Sequence, residues 1–147
     1  MLTNEAYMRL AIEEAKKSGI DVPIGAVVVK NGEILSIASN KKELNNDVSA
    51  HAEIIALKEA AQKIGDWRLT ECKLYVTLEP CPMCATAIIN SRVSEVFFGA
   101  YDNLYGALGS VLDLRKVFNS KLNVQGGILE DECSLLLREF WRKNEEA

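Results

Sequence analysis

Apolar positions in the first segment of the chain follow helical spacing: Tyr7, Leu10, Ala11 and Ala15 share one face, which predicts a helix capped by Asn4 and closed by Gly19. The period then shortens. Residues 26–30 and 33–38 flank Asn31-Gly32, a pair suited to two consecutive positive φ angles, and predict a β-hairpin with a type I′ turn. Ile54, Leu57, Ala61 and Ile64 return to helical spacing and predict a second helix that begins near His51 and stops at Gly65. Residues 73–77 read as a strand, 81–91 as a helix with Ala85, Ile88 and Ile89 inward, and 96–99 as another strand. Residues 123–128 predict a weaker strand broken by Gly126-Gly127, followed by a helix carrying Cys133, Leu136, Leu137 and Phe140 on one stripe. Such alternation implies a sheet covered by helices on both faces, with right-handed crossovers wherever consecutive strands are parallel.

Composition narrows the frame. The 147 residues are 48% hydrophobic and 26% charged, and the chain has no repeat, low-complexity run or linker, so a single domain is expected over residues 1–147. The first residues lack the basic start and apolar run of a signal peptide, and no stretch is long enough to span a bilayer, so a cytoplasmic location is expected. A net charge of −4 argues against broad nonspecific binding to nucleic acid, whose affinity comes from many lysines and arginines displacing counterions. Any nucleic-acid contact must be a local patch.

The chemistry concentrates in two short motifs, His51-Ala52-Glu53 and Pro80-Cys81-Pro82-Met83-Cys84. Taken singly, the histidine reads as a hydrogen-bonded helix start and the glutamate as a solvated acid favoured by the helix dipole. The Cys-x-x-Cys spacing alone serves redox dithiols, zinc knuckles and buried thiols. Together they offer one imidazole and two thiolates, three ligands for zinc that leave the fourth tetrahedral position to water, as in catalytic sites. Both motifs fall at helix starts, where free amides and the positive end of the dipole favour thiolates. Glu53 stands beside that position as the group able to move a proton, and residues two apart do not share a helix face, so ligand and shuttle point in different directions. His-x-Glu followed by Pro-Cys-x-x-Cys is the pattern of zinc-dependent nucleobase deaminases. The remaining cysteines, Cys72 and Cys133, read as small core residues. In the last helix, Arg138, Arg142 and Lys143 surround Phe140 and Trp141, which suits either phosphate and base contacts or a core stripe beside a solvated face.

At these residues the chain resembles the cytidine deaminase superfamily, and more closely the bacterial tRNA-specific adenosine deaminases. The likeness runs through residues 22–27, 50–53, 67–69, 74–81, 91–93 and 106–110, in that family's order. It implies a cytidine deaminase-like fold, a three-layer α/β/α sandwich around a central mixed five-stranded sheet, a homodimer, and hydrolytic conversion of adenosine to inosine at the wobble position of a tRNA anticodon. It further implies one zinc per chain on His51, Cys81 and Cys84, with Glu53 shuttling a proton to N1 of adenine and the Cys81 backbone N–H as an oxyanion donor. By the same resemblance Asn40 contacts the purine, Pro23 and Ala52 line the base pocket, and Arg68, Phe140 and Trp141 meet the anticodon loop. Without it, Asn40 is equally a strand-ending turn residue.

Two positions depart from that family's pattern. Leu104 stands where a lysine is usual, and Ser120 where a histidine usually follows the asparagine matched by Asn119. Both remove polarity that could face RNA. They keep open a free nucleobase or nucleoside deaminase, such as a guanine deaminase, whose zinc motif also commonly reads Pro-Cys-Pro-Met-Cys. A third reading, a noncatalytic zinc-stabilised RNA-binding subunit, has no use for Glu53.

Overall fold

The computed structural model describes residues 2–146. Five strands form one mixed sheet in the order β2-β1-β3-β4-β5, with β1 at Gly25–Lys30, β2 at Glu33–Ser39, β3 at Cys72–Leu78, β4 at Glu95–Ala100 and β5 at Asn123–Gln125. β1 is antiparallel to both β2 and β3, while β3, β4 and β5 are parallel. Five helices surround the sheet: α1 Asn4–Ala15, α2 Ala52–Ile64, α3 Pro82–Asn90, α4 Leu114–Val117 and α5 Glu130–Glu146.

The strands alternate their faces, and this divides the core in two. Ala26, Val28, Leu74, Val76, Val96 and Phe98 pack under Ala52, Ala56 and Ala60 of α2 and Ala85 and Ile88 of α3. Val27, Val29, Tyr75 and Phe97 pack on the other face against Tyr7, Met8, Ala11 and Ile12 of α1 and Cys133 of α5. This is the expected α/β/α sandwich. Cys72 and Cys133 are buried free thiols within it.

Local signals in the sequence account for most boundaries. Asn31 and Gly32 take φ of 50° and 80°, the two positive angles that the hairpin requires, and Gly65 caps α2 in the left-handed region at φ 74°. Elsewhere tertiary packing overrides them. Thr3, not Asn4, caps α1: its Oγ1 accepts from the Ala6 N–H at 3.1 Å, which leaves Asn4 Oδ1 to accept from the buried Tyr75 hydroxyl at 2.6 Å. α1 ends at Ala15, not Gly19, because the Lys17 and Ser18 amides bond three residues back and tighten the chain out of α geometry.

The buried stripe of α2 is Ala52, Glu53, Ala56, Leu57 and Ala60, rotated from the expected Ile54, Leu57, Ala61 and Ile64. Small residues let the helix approach the sheet closely, and the larger side chains lie at its margin. β5 is shorter than residues 123–128, since the parallel ladder ends at Gln125 and the Gly127 and Ile128 N–H groups bond to the Gly99 and Phe98 carbonyls in reversed order as the chain turns away. α4 has too few residues to show a period and was not anticipated.

Gly25 is the tightest approach between α1 and the sheet, where a Cβ would lie 1.9 Å from the Ala11 carbonyl oxygen. Neither backbone can yield locally. Gly25→Ala is therefore expected to lower stability by about 3 kcal/mol or more, the upper range for overpacking. A urea denaturation midpoint that falls with unchanged m-value is the expected observation; an unchanged midpoint contradicts the packing.

Candidate active site

Topology brings the two motifs together. β2 and β3 are each antiparallel to β1 and so run in the same direction, and the helices that follow them start at one edge of the sheet. His51 is the N-cap of α2 and Cys81 the N-cap of α3, both in extended backbone, and Pro82 occupies the first turn where its missing N–H costs nothing. Cys84 lies one turn into α3 and is fully buried.

His51 Nδ1 stands 3.7 Å from Cys81 Sγ and 3.4 Å from Cys84 Sγ, and the three donor atoms lie within 4.8 Å of one another. A tetrahedral zinc with Zn–S of about 2.3 Å and Zn–N of about 2.0 Å places sulfur and nitrogen ligands about 3.5 Å apart. The donor set fits a metal in both separation and chemistry.

The acid beside it is equally distinctive. Glu53 is 3% exposed, and its Oε1 has no hydrogen-bond partner among the described residues. Burial raises its pKa to about 7, so the carboxyl exchanges protons near neutrality. The thiols are pushed apart instead. A hydrogen bond from Cys84, together with His51, lowers Cys81 to about 4, while the same bond and burial raise Cys84. The proton of that hydrogen bond belongs to Cys84, and Cys81 is the more readily ionised of the two thiols. The hydrogen bond to Cys81 also raises His51.

A cleft of about 480 Å³ opens over this cluster, with His51, Glu53 and Cys81 among its lining residues. Lys42 and Val48 from the β2–α2 loop, Met83 from α3, and Asp102 and Tyr105 from the loop after β4 also line it. The MafB19-like deaminase family matches residues 3–142. The tRNA-specific adenosine deaminase of Bacillus subtilis (strain 168) is 47% identical, over 97% of this chain and 91% of that protein. The chain belongs to the tRNA-specific adenosine deaminase family. A solved structure from work on A-to-I editing by tRNA:A34 deaminases at the wobble position of transfer RNA agrees with TM-score 0.83 and 38% identity, covering 90% of this chain and 99% of that one. A guanine deaminase from Nitrosomonas europaea shares the fold at TM-score 0.84 but 25% identity, over 95% of this chain and 85% of that chain.

The remaining expected residues of this deaminase are dispersed. Asn40 is buried, and its Oδ1 accepts from the Ala52 N–H at 2.7 Å, so the amide orients the start of α2. Ala52 is fully buried and Pro23 half-buried, and neither lines the cleft. Arg68 lies beyond the far end of α2, paired with Asp66 at 3.2 Å and stacked 4.7 Å over Trp67. Phe140 is half-buried and meets the exposed Trp141 edge-to-face at 5.1 Å on α5. Leu104 is exposed at a loop tip, and Ser120 accepts from the Leu122 N–H at 3.2 Å.

Sequence reasoning missed Lys42, Val48, Asp102 and Tyr105, which no motif marks. It also passed over Glu79, whose position between a buried strand and the Pro80-Cys81 turn was the available signal.

The difference between the two thiols gives a test. In chelator-treated protein, iodoacetamide should modify Cys81 before the other cysteines, because its thiolate is already formed at pH values above about 4. Its rate should rise less than about threefold between about pH 6 and about pH 8, where an ordinary thiol rises more than about tenfold. Added metal should protect it. Peptide mapping that shows ordinary thiol behaviour at Cys81 contradicts the arrangement.

Proposed function

We propose that this deaminase hydrolyses adenosine to inosine at the wobble position of a tRNA anticodon, with one zinc per chain held by His51, Cys81 and Cys84. The observation that carries the reading is the buried Glu53 carboxyl, its Oε1 without a hydrogen-bond partner among the described residues, beside a three-ligand cluster in an open cleft. When bound, zinc supplies a Lewis acid that brings the pKa of a coordinated water toward neutrality. Glu53 takes a proton from the attacking water and delivers it to N1 of the base, a transfer suited to a carboxyl held near pH 7. The Cys81 N–H, at the open start of α3, serves as a donor to the developing oxyanion. With its Oδ1 oriented by the Ala52 N–H, Asn40 has its amide NH2 available for a purine acceptor. Pro23 and Ala52 back the base pocket from behind the lining residues.

Several features support RNA over a free base. Identity to the tRNA-specific enzymes is far higher than to the guanine deaminase. Lys42 at the rim is a cation where a nucleotide would carry phosphate. Trp67 and Trp141 are both exposed aromatics with arginine nearby in space or sequence, a surface on which unstacked bases and phosphates bind. A homodimer accompanies this reading. It is supported by the apolar side chains of Val111, Val117 and Phe118, exposed in and beside α4. No helix among the described residues is long and apolar enough to cross a membrane, and the four free cysteines suit a reducing, cytoplasmic setting.

Three outcomes follow. Elemental analysis should find one zinc per parent chain and little in His51→Ala or Cys84→Ala; a full complement in either variant excludes that ligand. Glu53→Gln should keep its zinc and lose deamination by at least ~100-fold, the scale of a positioned acid–base group, whereas normal turnover assigns the proton transfer elsewhere. Offered an anticodon stem-loop with adenosine at the wobble position alongside free adenine, adenosine, guanine and cytosine, the enzyme should release ammonia only with the stem-loop. Trp141→Ala should then weaken turnover about tenfold, matching roughly 1–3 kcal/mol of stacking, and Arg68→Ala should act in the same direction. Efficient guanine deamination with both variants unchanged establishes the free-base reading.

A further inference from the structure

Glu79 follows the last residue of β3, just before the metal-binding turn, and it is 2% exposed. Its carboxylate is saturated by one loop. Oε1 accepts from the Asp102 N–H at 3.2 Å and from the Ser110 hydroxyl, while Oε2 accepts from the N–H groups of Leu108 at 3.2 Å and Ser110 at 3.1 Å. Gly106 completes the cradle, since a Cβ there would meet Glu79 Oε1 at 2.6 Å and the Asp102 carbonyl at 2.4 Å.

The fixed loop reaches the cleft through a second set of bonds. Asp102 Oδ1 accepts from the Leu104 and Tyr105 N–H groups at 2.9 and 3.0 Å, and the Gly106 N–H closes the turn on the Asp102 carbonyl at 3.0 Å. Asp102 and Tyr105 line the cleft, as do Lys42 and Val48. Tyr105 is otherwise 65% exposed, so no packing of its own holds it there. Its position depends on the turn, which is tied to the end of β3 by the Glu79 carboxylate and by the Ala107 N–H bonded to the Pro80 carbonyl at 2.9 Å.

The geometry points to Glu79 as a positioning residue: through Asp102 and the turn it organises, Glu79 sets the cleft wall that carries Tyr105 against the substrate. The inference rests on the deaminase reading of the cleft but not on which base is deaminated. Glu79 also lines the cleft, but both of its carboxylate oxygens are engaged by the loop. Replacing one carboxylate oxygen by an NH2 group turns donors of the loop against a donor, which loosens the wall without emptying the core.

The test uses the zinc-loaded full chain, comparing the parent with Glu79→Gln and Ser110→Ala. In Glu79→Gln, amide exchange followed by NMR should accelerate at Asp102, Leu108 and Ser110 by at least about tenfold while the β4 amides keep their protection. Zinc content should be unchanged. KM for the stem-loop should rise about tenfold with kcat within about threefold of the parent, the pattern of lost binding and not of lost chemistry. Ser110→Ala removes one donor and should raise KM about threefold, which keeps the test open if Glu79→Gln does not fold. Unchanged exchange, faster exchange with unchanged KM, or a fall in kcat alone would each overturn the assignment. If the parent deaminates a free base and not the stem-loop, the tRNA reading fails separately, and the same kinetic comparison proceeds on that base.

Discussion

The antiparallel pairing of β1 with both of its neighbours governs this molecule. It makes β2 and β3 run alike, so the chain leaves both strands at one edge and enters α2 and α3 there. Two helix N-termini then face one small volume, each with unbonded amides and the positive end of a dipole. His51 and Cys81 are the cap residues themselves, held in extended backbone before the helix fixes their neighbours. A metal cluster thus arises from chain direction and helix entry, with two ligands where loops meet helices and the third, Cys84, in the first turn of α3.

Three buried carboxyl groups show how the surroundings divide labour among like side chains. Asp21 accepts from the Glu43 N–H at 3.0 Å and pins the loop that supplies Lys42 and Val48. Glu79 does the same for the loop that carries Asp102 and Tyr105. Both are satisfied by backbone donors, as buried acids generally must be. Glu53 is denied such donors at Oε1, and it is the one whose proton affinity rises toward neutrality. Satisfied acids hold the cleft open, and the unsatisfied one is left to react.

The sequence was most informative where one physical rule dominated. Asn31-Gly32 allowed few alternatives to a hairpin, and His51, Glu53, Cys81 and Cys84 formed a spacing with a single chemical use. It was less informative where competing rules had similar weight. Thr3 and Asn4 both suit a cap, and only the distant Tyr75 hydroxyl decided between them. The inward face of α2 followed its alanines because close approach to the sheet outweighed the larger apolar side chains. The cleft walls were illegible because they are made by long-range bonds from Asp21 and Glu79 to loop amides, which leave no periodic trace.

The placement of the chain's two tryptophans has an optical consequence. Trp67 and Trp141 are 55% and 54% exposed, the guanidinium groups of Arg68 and Arg92 lie 4.7 and 5.8 Å from the Trp67 ring, and neither indole enters the core. Ultraviolet emission therefore arises from water-facing indoles in the folded state as well as the unfolded one, and it is a weak reporter of denaturation. The same light comes from the two places at which an unpaired base would stack. The protein carries its own fluorophores on the surface proposed to meet RNA, while the collapse of the interior is reported by the stacked Tyr75 and Phe97 rings.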